Sequence, residues 1–368
     1  AAGFATLGAW IANSFLQTLP LLAFQLARKA SADKYKSFGF VVFWITFEYI
    51  HLHWDLSWVW LNLGNIFGVV PQWVQWYEYT GTFGGTLWVL IANILFYEVF
   101  ITKKYKIGFA LSFVLIPLLY SYYIYFSYQE EGKSVEIVVV QPNFDVYNQR
   151  TVRNPVTGEA ASDYIPYEKQ IDIYIDLVKQ NVSDTTAFVL FPESSLGNSH
   201  VQEDVFFQYS GMQRLYHELV EKNDIHLVAG ISTIRFYYKP EEMTSTSRKV
   251  SKNGENYAYD SFNAALHLSD EAKPAFYHKS KLVVGAENNP FQSMFGDTFG
   301  TFIFKDLMGS LGRQKNRDVF ENENGIKIAP AICWESVFGE FMGGFVKEGA
   351  SILTVITNDG WWADSAGP

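Results

Sequence analysis

Cysteine occurs once in 368 residues, as Cys333. That scarcity excludes an internal disulfide and any metal site built from a cysteine cluster. Charge is sparse too, at 18% of residues, and it leans acidic, with a formal net charge of −10. The chain therefore lacks the clustered lysine and arginine that nucleic-acid binding needs. No internal repeat, low-complexity tract or signal peptide is visible. The glycine-rich stretch at 81–86 opens an apolar segment instead of following a strand, so it is not a phosphate loop. His51 and His53 read as interface or core histidines, not ligands. No metal and no cofactor are expected. What the chain does have is apolar bulk: 49% hydrophobic and 17% aromatic residues. Its mean hydropathy of +0.01 is too polar for a chain lying wholly in lipid, so two kinds of material are mixed.

The first third is one of them. Apolar stretches at Gly3–Ala27, Phe38–Trp54, Thr82–Ile101 and Ile107–Tyr128 carry few charges, and most approach the ~20 residues that cross a bilayer. Trp and Tyr gather at their ends, as they do at membrane interfaces. Glu48 and Glu98 lie within such stretches, near enough to an end to reach water. Arg28, Lys29, Lys34 and Lys36 in one loop, and Lys103, Lys104 and Lys106 in another, are the basic connections. Basic loops stay in the cytoplasm. The fourth helix then runs outward, and everything after about Gln129 is placed on the outer face, periplasmic where the cell has a periplasm. The Trp-rich segment Asp55–Tyr79, broken by Gly64, Gly68 and Pro71, reads as a membrane-surface segment or a packed loop.

From Ser134 onward short β-rich runs alternate with helical stretches. Runs at Val135–Pro142, Thr186–Glu193, Ile225–Ser232, Phe262–Ser269, Ile326–Trp334 and Ser351–Asp359 read as buried strands. Tyr167–Gln180 and Phe206–Lys222 have apolar residues at helical spacing. This alternation predicts an α/β domain. Tyr238–Tyr259 reads as a loop or hairpin arm, and Asp297–Gly325 as a long irregular loop of the kind that forms lids.

Three residue types at strand ends carry chemistry. Cys333 ends an apolar strand ahead of WESVFGEFM, which reads as a helix whose N-terminus would favour thiolate and hold an oxyanion. By itself it reads more readily as a small buried hydrophobe. Glu193, in FPESS, ends another strand at the sheet edge where α/β ligands bind, and could serve as a base or cap a helix. Lys279 and Lys281, with Glu287 following, could steady an oxyanion or be a solvated charge run.

Together Glu in FPES, Lys in YHKSKL and Cys in ICWES resemble the Glu-Lys-Cys site of the nitrilase (carbon–nitrogen hydrolase) superfamily. With membrane helices in front, the chain resembles the apolipoprotein N-acyltransferase family over most of its length. WDLSWVWLNLGN, VVVQPN and TNDGWWADSAGP resemble further segments of that family. The resemblance implies a membrane α-helical bundle over 1–128 and, over 129–368, an outward-facing nitrilase-like α-β-β-α sandwich. It implies Glu193 as general base, Lys279 as the lysine of K-x-x-L-V (a spacing that Lys281 does not fit) and Cys333 as nucleophile. Glu287 matches the additional acidic residue, and Trp334 with Glu335 the aromatic–Glu pair. Val284-Gly285-Ala286 stands where the family often has Pro-Phe-Gly, and Trp334 where it often has Tyr, which bears on lid shape and acyl preference. The implied reaction takes an acyl chain from a phospholipid, phosphatidylethanolamine, to the N-terminal amine of a diacylated apolipoprotein. It passes through a thioester, in a monomer in the bacterial inner membrane. The alternatives are a membrane-tethered amidase or nitrilase-type hydrolase, and a catalytically dead domain that binds lipoproteins. The resemblance also implies that the sequence is short of the family's ends on both sides.

Overall fold

A computed structural model describes residues 2–30, 36–154, 157–223, 225–252, 255–271, 273–295 and 310–362. The chain divides into two compact units, 1–131 and 132–368.

All the apolar stretches of the first unit are helical: α1 (Ala2–Ala30), α2 (Lys36–Leu52), α3 (Tyr77–Phe100) and α4 (Ile107–Ser127). Among the described residues, α3 and α4 are long and apolar enough to cross a membrane, while Ser37–Leu52 of α2 is apolar but shorter. Two of the expected spans are thus met on length and composition. Between α2 and α3 the chain makes two 3₁₀ turns, Leu63–Phe67 and Pro71–Trp73, in place of a further helix, as its Gly and Pro residues dictate. Glu48 is buried, not water-reaching. It accepts hydrogen bonds from Trp44 Nε1 (3.1 Å), the Leu63 amide (2.9 Å) and Thr86 Oγ1 (2.6 Å), tying α2 to the turn segment and to α3. A buried carboxylate is tolerated when its lone pairs are filled in this way.

The second unit is built on two sheets. The large one has seven strands. They are β1 (Glu136–Val139), β2 (Thr186–Leu190), β3 (Leu196–Gln202), β4 (His226–Tyr237), β5 (Arg248–Lys252), β6 (Glu255–Leu268) and β7 (Ala275–His278). Their order is β1-β2-β4-β6-β5, with β3 also beside β4 and β7 beside β6. The β1–β2–β4 pairs are parallel; β6 runs antiparallel to β4, β5 and β7. A small sheet holds β8 (Phe320–Glu321), β9 (Lys327–Ile332) and β10 (Ile352–Ile356), with β9 central. Helix α5 (Tyr167–Lys179) buries Ile171, Tyr174, Ile175 and Val178, and α6 (Ser210–Leu215) buries Met212 and Leu215. These pack on Val189, Leu227, Ala229, Ile231, Ala264 and Leu266, alternate residues from one face of the large sheet. The opposite face meets the small sheet, where His267 stacks on Phe320 at 4.9 Å. His226 Nδ1 lies 2.8 Å from His267 Nε2, and its Nε2 lies 2.6 Å from Glu323 Oε2. Helix α7 (Gly339–Lys347) comes after β9 and buries Phe341 and Phe345, the latter edge-on to Tyr277 of β7. Helices α5 and α6, the large sheet, the small sheet and α7 thus stack as the layers of an α-β-β-α sandwich.

Two local readings change. The segment 206–222 is not one helix: a 3₁₀ turn (Glu203–Gln208), α6, a π-helical stretch (Tyr216–Val220) and a final turn succeed one another. Its apolar spacing fits a helix, but burying Phe206, Leu219 and Val220 on the same core requires changes of winding along the way. The arm at 238–259 is a hairpin, with β5 pairing back on β6. Of the long loop expected at 297–325, residues 297–309 lie outside the described residues, and 310–325 run without helix through β8.

Candidate active site

Strand ends bring the chemistry together. Glu193 leaves β2 by a short turn. The Phe191 amide still bonds Val228 O of β4 (2.8 Å), and the Glu193 amide reaches Thr357 O (3.3 Å), just past β10. That last bond crosses from the large sheet to the small one. Ser194 comes next, with φ 52°. The turn lies so close to β4 that a Cβ at Gly230 would stand 2.5 Å from Glu193 Cα and from Pro192 O. Only glycine fits there.

Lys279 comes one residue after β7. The pairing of Ala264 with His278 continues into a bond from the Lys279 amide to Asn263 O (2.9 Å), so the ladder itself sets the position of the lysine. Its side chain is 1% exposed. Nζ lies 3.0 Å from Glu287 Oε1 and 3.4 Å from Glu193 Oε1. Glu287 closes a tight turn in which its Oε2 accepts the Val283 amide (2.8 Å) and Gly285 takes φ 79°. Lys281 points elsewhere, its ammonium 4.9 Å from the centre of the Phe338 ring.

Cys333 comes one residue after β9 and Thr357 one residue after the parallel β10, side by side because Ile332 pairs with Ile356. The thiol lies beside the Thr357 side chain and close enough to Glu193, Lys279 and Glu287 to feel their charges. Its φ is 46°, a left-handed conformation rare for a side-chain-bearing residue and concentrated at functional sites. The chain then winds into a 3₁₀ turn, Cys333–Val337, and α7 begins only at Gly339. The expected helix N-terminus at the thiol is therefore replaced by a tight turn. Trp334 packs edge-on to Phe338, 5.8 Å between ring centres.

Glu335 touches none of these side chains but holds two of their segments. It is fully buried. Oε1 accepts the Ser280 amide (2.6 Å), the Tyr277 hydroxyl (2.7 Å) and the Lys281 amide (3.3 Å), while Oε2 accepts the Ile332 amide (2.9 Å). Ser280 is the residue after Lys279 and Ile332 the residue before Cys333, so one carboxylate fastens the lysine strand to the cysteine strand.

Asn263 was not singled out from the sequence. Its Nδ2 donates to Glu193 Oε1 and to Glu287 Oε1, both at 2.7 Å. The signal was available: an amide inside the apolar run FNAALHL has to be satisfied somewhere. Glu203 and His278 were missed as well. Glu203 Oε1 meets His278 Nε2 (2.6 Å) and Thr233 Oγ1 (2.7 Å), and its Oε2 meets Arg235 (2.6 Å). These bonds fix the residue next to Lys279.

The electrostatics arise from two carboxylates sharing one ammonium. Burial works against the charge on Lys279, but Glu287 and Glu193 outweigh it and hold the lysine above its ordinary range. Burial pushes the Cys333 thiol up, Glu193 pushes it the same way, and Lys279 and the Thr357 side chain pull it back only in part. The resting group is a thiol that needs a base, not a preformed thiolate. Both donors to Glu193 lie on Oε1, which leaves Oε2 to accept a proton. Burial also raises the Glu335 carboxyl, against the lowering effect of its four donors.

Comparison with known proteins gives a consistent picture. The carbon–nitrogen hydrolase family matches residues 160–368, and the apolipoprotein N-acyltransferase N-terminal domain matches residues 1–95. The chain is 24% identical to an apolipoprotein N-acyltransferase of Chlorobaculum tepidum, over 97% of this chain and 66% of that protein. It is 26% identical to the enzyme of the same name from Rickettsia prowazekii, over 92% of this chain and 61% of that protein. It therefore spans less than two thirds of the length of these relatives. Among solved structures, an amidase from a Nesterenkonia species aligns with a TM-score of 0.36 at 14% identity, over 62% of this chain and 66% of its own.

Proposed function

The chain belongs to the carbon–nitrogen hydrolase family, and from that premise we propose that it transfers a fatty acyl chain from a phospholipid to the N-terminal amine of a diacylglyceryl-cysteine on an apolipoprotein. The observation that carries the reading is the pairing within one chain of the acyltransferase N-terminal domain match with a cluster in which Glu193, Lys279, Glu287 and Cys333 converge. A hydrolase of the family has no need of the first part.

In the proposed reaction Glu193 Oε2 takes the proton of Cys333 as Sγ attacks the ester carbonyl carbon. The Lys279 ammonium and the Trp334 backbone N–H stabilise the tetrahedral oxyanion. As it collapses, the lysophospholipid alkoxide leaves with the proton held by Glu193, and a thioester remains on Cys333. The α-amine of the lipoprotein then attacks the thioester and gives a proton to Glu193. The thiolate departs and recovers that proton. Asn263 and Glu287 keep Glu193 and Lys279 in register through both steps. Lys279 is already charged, so the stabilising ammonium costs no proton transfer at the moment of reaction.

Both substrates are anchored in lipid, so the nucleophile has to work at a membrane surface. The span-length helices α3 and α4 support residence in a membrane. The basic loops support four spans over 1–128 and a catalytic unit over 129–368 on the outer face of the bacterial inner membrane. Phosphatidylethanolamine is the proposed donor, and the enzyme acts as a monomer.

Intact mass of the full-length enzyme after incubation with phosphatidylethanolamine vesicles tests the reading, beside Cys333→Ala. A gain of one acyl chain is expected, absent in the variant and lost on adding a diacylated lipopeptide. Free fatty acid without an adduct would instead identify a hydrolase.

A further inference from the structure

Beside the catalytic residues lies a small cleft lined by Arg150, Gln141, Asn143, Pro192 and Asn358. No carboxylate lines it. Arg150 is part-buried, and its Nε is out of solvent with no hydrogen-bond partner. Among the described residues its guanidinium makes no ion pair, in contrast to Arg214 with Glu168 and Asp172, and Arg235 with Glu203. Burial lowers its pKa, with only the nearby Tyr174 and Tyr167 opposing. A buried cation without a counter-charge destabilises a fold, and a guanidinium fork matches the oxygens of a phosphate.

The position of the cleft gives the ligand. Pro192 is the chain neighbour of Glu193, and Asn358 that of Thr357, whose side chain lies beside the Cys333 thiol. An anion held here stands next to the segments that carry Glu193 and Thr357, beside the place an ester carbonyl takes over Cys333. Asn143, with φ 57°, turns the loop that carries this wall. Gln141, Asn143 and Asn358 add neutral amides able to donate to further oxygens.

We propose that Arg150 and these amides form an anion site that takes the phosphodiester of the donor lipid and sets its ester over Cys333. This deepens the acyl-transfer reading and rests on it. In an apolar, acidic protein the site selects a phospholipid over an uncharged acylglycerol, and it releases the lysophospholipid when the thioester has formed.

The test compares two donors with the same acyl chains, phosphatidylethanolamine and diacylglycerol, by the rate of adduct formation on full-length enzyme in detergent. Arg150→Gln is expected to slow acylation by the phospholipid about ten- to a hundredfold, the worth of a charge-assisted bond, and to leave acylation by diacylglycerol unchanged. Arg150→Lys should recover part of the loss, and inorganic phosphate should compete in the wild type but not in Arg150→Gln. Equal slowing with both donors means a structural arginine and overturns the proposal, as does no slowing with either. Phosphate competition without an Arg150→Gln effect on the phospholipid means a free-phosphate site, which also overturns it. Should the wild type form no adduct from any lipid, the acyl-transfer reading falls instead. Calorimetry with inorganic phosphate then decides the anion site: binding lost in Arg150→Gln supports it, and binding absent or retained overturns it.

Discussion

Glu335→Gln is the most informative single change to the framework of the site. The carboxylate accepts four hydrogen bonds, three on Oε1 and one on Oε2. An amide can keep only one oxygen. Its least costly orientation leaves the oxygen facing Tyr277, Ser280 and Lys281 and turns the NH2 group toward the Ile332 amide, donor against donor. One bond to a charged acceptor, worth roughly 1.5–3 kcal/mol, is lost, and the other three fall toward the roughly 0.5–1.5 kcal/mol of neutral bonds. Relief from burying a charge offsets part of this, since burial already raises the Glu335 carboxyl. The net destabilisation should be about 3 kcal/mol. It acts at the join between the Lys279 and Cys333 strands, where a displacement of about 1 Å costs on the order of a hundredfold in rate. Denaturant midpoints of the purified enzyme and the rate of acyl-enzyme formation are the two readouts. Tyr277→Phe, which removes one of three donors from Oε1, should cost only about 1 kcal/mol. An unchanged midpoint and rate for Glu335→Gln would refute the claim that this carboxylate fastens the site.

Other consequences come from the charges. Glu193 raises the Cys333 thiol, so Glu193→Gln should move the pH midpoint of iodoacetamide alkylation downward while acyl-enzyme formation is lost. A midpoint that stays or rises, or a thioester formed at the wild-type rate, would remove Glu193 as the base. Burial opposes the charge on Glu203, but His278, Thr233 and Arg235 outweigh it and hold this carboxyl below its ordinary value of 4.5. A depressed carboxylate contributes stability above that value, and the contribution is lost as pH falls through the lower folded value. Glu203→Gln should therefore be less stable than wild type at neutral pH and converge with it in acid, as urea midpoints at the two pH values would show. Parallel curves would contradict the network.

Much of this was legible in the sequence because the site hangs on strand ends. Short apolar runs fixed where β2, β9 and β10 lie, and the polar residue ending each run, Glu193, Cys333 or Thr357, marks where the chain leaves its sheet. Strand pairing then does the rest, since a parallel register of Ile332 with Ile356 places Cys333 beside Thr357 without further instruction. The partners that came from mid-strand or from loops were harder to read. Asn263 acts from inside β6, and nothing local says that it faces Glu193 instead of the helix layer. Arg150 lies in an irregular segment with no period, and the absence of a carboxylate partner among the described residues is a matter of tertiary packing, not of local sequence. WESVFGEFM has helical spacing, yet Glu335 is drawn back to the Ile332 amide, which tightens the first turn to 3₁₀ and delays α7 to Gly339.

Gly230 takes no part in the chemistry and offers only its carbonyl, to the Ser195 hydroxyl, but the turn bearing Glu193 rests against its bare Cα. The base is thus located by a missing carbon on a neighbouring strand. In a library of variants, position 230 should behave like an active-site residue and accept no replacement, although even alanine there would alter neither charge nor hydrogen bonding. Inactive variants at 230 should keep a Cys333 that reacts with thiol reagents. A substitution scan would read such a position as catalytic, when what it supplies is room.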